Sequence, residues 1–137
     1  MLAAAAMHVG CMTLLPPYAD LLKLRVEKRD GRPLIVMPFH EEVVGRPGFV
    51  HGGAIAGLLE IAAYQTLAGE IGDETVARKP VTVTVDFLRG GRSVDTFAAA
   101  QVQRLGKRIA NVEAFAWQDD PDRPIAGGRI NFLLERA

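Results

Sequence analysis

Glu60 is the only Asp, Glu, Lys, Arg or His between Gly53 and Gly69, in the run GAIAGLLEIAAYQTLAG. On a helix its neighbours three and four residues away are Ala56, Gly57, Ala63 and Tyr64, three of them small, which leaves room beside the carboxylate for a ligand or another chain. A carboxylate desolvated there is suited to activating water or attacking an electrophile. The same side chain could instead lie on the helix's one wet stripe, or pair with an arginine. Nine residues earlier stands His51-Gly52-Gly53. Glycines at a helix start let a ligand approach the backbone. The first helical amides are also unpaired and lie at the positive end of the dipole, which suits polarising a carbonyl that gains negative charge. Taken alone, the motif reads first as a glycine turn with a satisfied loop histidine.

These residues need elements to hold them. The run Gly53–Gly69 has no proline, is rich in Ala and Leu, and is apolar on almost every face, so it predicts one long buried helix, stopped by Gly69 or Gly72. Before it, Leu22, Leu24 and Val26 alternate with Lys23, Arg25 and Glu27, which predicts a strand over 21–29. Arg29-Asp30-Gly31-Arg32 supplies a hairpin turn and 33–40 the returning strand. Residues 41–52 read as a loop. After the helix, Val81, Val83, Val85 and Phe87 alternate with polar residues, and strands follow over 94–105, 108–118 and 125–135. The turns between them fall at Leu105-Gly106-Lys107 and Asp119–Pro124. Two strands, one helix, then about four strands is an α+β order. One sheet of this size leaves part of an all-apolar helix uncovered, so a second copy of the chain is expected.

At 137 residues, with 49% apolar and 23% charged positions, the chain suits one domain with a real core. Sixteen basic and sixteen acidic residues cancel, so nothing in the net charge points to nucleic acid or an anionic membrane. The single cysteine, Cys11, cannot form an intramolecular disulfide, which suits a reducing cytoplasm. Residues 1–11 are apolar without a basic start and are read as a loose extension, leaving 12–137 as the domain. His8 and His40 have no partners at metal-ligand spacing, so no metal site is expected. Ser93 and Cys11 lack the setting of a nucleophile triad.

Gly48-Phe49-Val50-His51-Gly52-Gly53 followed by Leu59-Glu60 resembles the H-G-G…acid signature of the PaaI-type hot-dog acyl-CoA thioesterases. Residues 81–88 resemble their central strand, Gly106-Lys107-Arg108 their hairpin turn, and Ile125-Ala126-Gly127-Gly128 their closing strand, so the likeness spans about 15–135. It implies a hot-dog fold, a curved antiparallel sheet of five to six strands around the central helix. It also implies a homodimer or dimer-of-dimers tetramer whose sites lie between subunits, and hydrolysis of an acyl-CoA thioester without a separate cofactor. Carried onto this chain, the Gly52 amide polarises the carbonyl, Glu60 acts as base or nucleophile, and His51 orients the turn or the substrate. Gly53 lets the substrate approach.

Two positions depart from that pattern. Many relatives carry Asn or Gln six residues before the histidine, where this chain has Gly45, and many have Asp where it has Glu60. Tyr64 could supply a replacement hydroxyl, or be ordinary core. Arg89, Arg92, Arg104, Lys107 and Arg108 lie near strand ends and are candidates for the coenzyme A phosphates, or a solvated rim. Two other readings stay open: a non-catalytic acyl-CoA-binding module, and a hot-dog dehydratase or hydratase. The second is disfavoured by Arg46, where those enzymes place a loop histidine.

Overall fold

The structure is a computed structural model and describes residues 15–136; the proposed extension, His8 and Cys11 lie outside them. The chain opens with a short helix, α1 (Pro17–Leu22), not the strand expected from residue 21. Pro17 is preorganised for the first helical turn, and Lys23 closes it in a left-handed conformation, its N–H donating to Ala19 and Asp20. Leu22 and Ala19 are buried from this helix, so an alternation that looked strand-like begins one turn early in a different conformation. The strand proper, β1, is Arg25–Arg29 and pairs with β2 (Arg32–Met37) through the expected turn. Both turn residues take positive φ, Asp30 at 53° and Gly31 at 77°, the geometry that matches a two-residue hairpin.

A single 3-10 turn (Glu41–Val43) leads to the long helix α2 (Gly52–Ile71), which ends at Gly72 in the left-handed region. Just past it, Asp73 accepts hydrogen bonds from the Thr75 hydroxyl at 2.7 Å and the Thr75 N–H at 2.9 Å, which hold its carboxyl below the usual range. The remaining strands are β3 (Ala77–Phe87), β4 (Thr96–Leu105), β5 (Ile109–Trp117) and β6 (Ala126–Glu135). All pairings are antiparallel, in the order β1-β2-β4-β5-β6-β3, and the six-stranded sheet is open. This is the α+β hot-dog arrangement. No helix among the described residues is long and apolar enough to cross a membrane.

The core lies between α2 and one face of the sheet. Ile55, Leu58, Leu59, Ala62, Ala63 and Leu67 meet Ile35, Ala98, Val112, Ala114, Ile130 and Phe132. Alanines at 98, 100, 110, 114 and 116 let the helix come close to β4 and β5. Deleting a fully buried leucine such as Leu59 would cost about 2–5 kcal/mol. The sequence pattern misled a second time at β3. β3 alternates as expected, yet Val81, Val83 and Phe87 are 53%, 42% and 56% exposed, because this strand is an edge that α2 hardly reaches.

Candidate active site

The loop before α2 is tied down by backbone bonds that position its histidine. Val50 N–H donates to Gly91 at 2.9 Å, and His51 N–H to Val43 at 2.7 Å. His51 is the N-cap of α2, with extended backbone (φ −64°, ψ 134°), and its Nδ1 accepts the Gly53 N–H at 2.8 Å. A ring nitrogen that accepts a backbone amide carries no proton, so the neutral imidazole holds its hydrogen on Nε2. Its outward nitrogen is then a donor and not a base. Ala54 and Ile55 donate to the His51 carbonyl. Among the first helical amides, that of Gly52 has no acceptor among the described residues.

Gly52 packs close to the end of β3. A Cβ there would sit 3.2 Å from the ring tip of Phe87, at the end of β3. Gly45 is similarly confined: a Cβ would lie 3.0 Å from His51 Cα, so the polar residue common in relatives could enter only if the loop moved.

Glu60 lies two turns along the same helix, on the partly open stripe formed with Ala56, Gly57 and Tyr64. Its carboxylate makes no hydrogen bond or ion pair among the described residues, so the arginine-pair reading does not hold there. Tyr18 of α1 packs its ring over Gly57, a contact hidden from the sequence because α1 was not expected. Tyr64 packs 6.2 Å from the Phe132 ring and carries the Arg78 guanidinium 4.5 Å over its face. Eight residues separate Gly52 from Glu60, a helical rise of about 12 Å.

The basic candidates divide between the two ends of the sheet. Arg89 and Arg92 lie at the Phe87 end, with Arg89 Nε donating to Pro124 at 3.1 Å and Arg92 paired to Asp119. Arg104, Lys107 and Arg108 lie at the β4–β5 hairpin, the opposite end. A basic residue the sequence reading left out of this set is Arg46, whose guanidinium sits 4.6 Å over Phe49 in the loop before His51. Among the described residues no three His, Cys, Asp or Glu side chains are grouped so that they could hold a metal ion. The site's donors are one carboxylate, one imidazole and backbone amides.

The acyl-CoA thioesterase N-terminal domain family has a model that matches residues 42–133, from the turn before α2 into β6. The chain belongs to that family. Solved structures agree with this hot-dog thioesterase assignment. A protein from Chromobacterium violaceum is 32% identical over 97% of this chain and 90% of its own, with a TM-score of 0.73. A thioesterase from Pseudomonas aeruginosa, solved as a mutant, is 26% identical over 85% of this chain and 84% of its own, with a TM-score of 0.73. A Bacillus halodurans protein solved with CoA shares the fold at 20% identity, with a TM-score of 0.81 over 98% of this chain and 89% of its own. No curated protein matches the chain.

Proposed function

We propose that this thioesterase-family domain hydrolyses acyl-CoA thioesters at sites shared between two copies of the chain. The observation that carries the reading is the Gly52 N–H, a helix-start donor left without an acceptor while its neighbour Gly53 is held by His51. It would stabilise the oxyanion that forms as the thioester carbonyl is attacked. Glu60 supplies the other half. As a base it takes a proton from water, whose oxygen bonds to the carbonyl carbon; collapse of the oxyanion then breaks the C–S bond, and the proton passes to the thiolate of CoA. As a nucleophile it forms an acyl anhydride and expels the thiolate, and water then cleaves the anhydride. Both routes give a free acid and CoA.

The helical rise of about 12 Å between Gly52 and Glu60 keeps one subunit's pair from meeting on one thioester. The exposed edge of β3 supports a second copy as the remedy. An eleven-residue edge carrying Val81, Val83 and Phe87 is ready to pair with its own copy about a two-fold axis. Glu60 of one subunit would then work with Gly52 of the other, and Arg89, at the Gly52 end, is the better placed of the basic residues to meet the CoA phosphates.

The second reading, an acyl-CoA-binding module without hydrolysis, is favoured by Gly45, which offers no polar side chain to place water. Thiol release from acyl-CoAs with C2 to C16 chains, benzoyl and phenylacetyl groups decides between them. Turnover of any member supports the hydrolase. Binding without turnover by the folded protein would replace it with the module.

A further inference from the structure

The partly open stripe of α2 and the helix-facing side of β3 run beside each other as two walls of a groove. Directly opposed residues on paired strands share a face of the sheet. Arg78 and Pro80, opposite buried Leu134 and Phe132, and Val83, opposite buried Ile130, therefore point to the side on which α2 lies. Val85 and Phe87 continue the row. Two contacts fix its ends against the helix: a Cβ on Gly52 would meet the Phe87 ring at 3.2 Å, and Arg78 lies 4.5 Å over the Tyr64 ring. Between Gly52 and Tyr64 the helix rises about 18 Å, with Glu60 on the way.

This row is apolar except at Arg78, and that charge is unmatched. Arg78 is half-buried and belongs to none of the ion pairs among the described residues. Its Nε is shut off from solvent without a partner. Nη1 makes one long bond, 3.4 Å, to the Val76 carbonyl, while Nη2 makes none and is not enclosed. A guanidinium keeps its charge, and a partly desolvated charge normally has a counter-charge. Neighbouring Lys79 does have one, in Glu135. The Tyr64 ring holds the guanidinium in place and leaves Nη2 for a ligand, and charge-assisted bonds from arginine to carboxylate are among the stronger ones.

We propose that Arg78 is a specificity residue of the hydrolase site and binds the far carboxylate of a dicarboxylic acyl group, so that the substrates are acyl-CoAs whose acyl chain ends in a negative charge. The inference rests on the hydrolase reading above. Tyr64 follows Glu60 by one helical turn, a rise of about 6 Å, so a chain that starts at the carbonyl beside Glu60 reaches Arg78 within a few methylenes. The CoA phosphates lie beyond that reach, at the far end of the pantetheine arm.

The test compares glutaryl-, adipoyl- and suberoyl-CoA with valeryl-, hexanoyl- and octanoyl-CoA, pair by pair at equal chain length. Thiol release by the parent chain gives kcat/KM, and calorimetry on Glu60→Ala gives Kd. For at least one pair the diacid should be favoured about tenfold or more in each measurement. Arg78→Met keeps the reach over Tyr64 without the charge and should bring that ratio to about one. Arg78→Lys should restore part of it. A melting curve checks that both variants fold, and the parent's own ratio reads the proposal if they do not. A ratio near or below one in every pair, or a preference for diacids that Arg78→Met leaves intact, overturns the proposal. So does an equal loss for both members of a pair together with weaker binding of free CoA, which would put Arg78 on a phosphate. No thiol release from any acyl-CoA removes the hydrolase reading alone, and the Kd ratio then still decides for or against a carboxylate at Arg78.

Discussion

The bond from the Gly53 N–H to His51 Nδ1, 2.8 Å long, determines which amide of α2 is left for chemistry. By capping the second residue of the helix it leaves the first, Gly52, as the open donor, and it turns the imidazole's remaining proton outward.

That relation makes Gly52→Pro an amide deletion with little structural cost. Proline is favoured at the first helical position, and the extended backbone of His51 is what a residue before proline adopts. Added ring atoms would meet Phe87, which is 56% exposed and free to give. We expect thermal melting close to the parent's and kcat reduced about 10²- to 10³-fold, the effect of losing one oxyanion donor. Stopped-flow thiol detection beside a melting curve measures both, and unchanged kcat would remove Gly52 from the mechanism.

His51 should separate capping from chemistry. His51→Ala loses the cap and should cost about 1 kcal/mol in urea unfolding. Asparagine is a strong N-cap residue, so His51→Asn should restore most of that stability. If the imidazole mainly orients the turn, activity should follow the cap, with the Asn variant within about tenfold of the parent and the Ala variant lower. Stability restored by Asn with activity still lost would give the outward Nε2–H a direct part in substrate contact.

Glu60 has no partner among the described residues, so its replacement strands no buried charge. Glu60→Ala should keep the fold and oligomeric state and lower turnover by at least about a hundredfold, as for a positioned base. Wild-type turnover in this variant would move the chemistry elsewhere.

Much of this arrangement was legible because local and global signals agreed. An all-apolar run ended by Gly72 fixes α2, and Asp30-Gly31 fixes the first hairpin. What the sequence hid were facts of assembly in space. Pro16-Pro17 start a helix whose buried Leu22 mimics strand alternation. The valines of β3 alternate like a half-buried strand, although the helix that would cover them is spent on β2, β4, β5 and β6. The Arg92–Asp119 pair joins residues 27 apart that meet only when the sheet forms, and the crowding of Gly45 against His51 is equally a matter of loop closure. Glu60 and Gly52 were each legible as candidates. Their separation along α2, which argues for a second chain, follows from helical rise once both are placed on one helix.

A subunit-shared site makes a prediction that no single-chain site can meet. Val83→Lys puts a charge on the exposed edge of β3, and it should yield a folded monomer by analytical ultracentrifugation with little hydrolysis. The sharper version mixes two inactive chains, Glu60→Ala and Gly52→Pro, by co-refolding. Random pairing makes half the dimers mixed, and each of these joins Glu60 from one chain to Gly52 from the other at one of its two sites. Activity should therefore return to about a quarter of the wild-type rate. If the two residues acted within one chain, no mixed dimer would contain an intact site, and the mixture would stay as inactive as its parts.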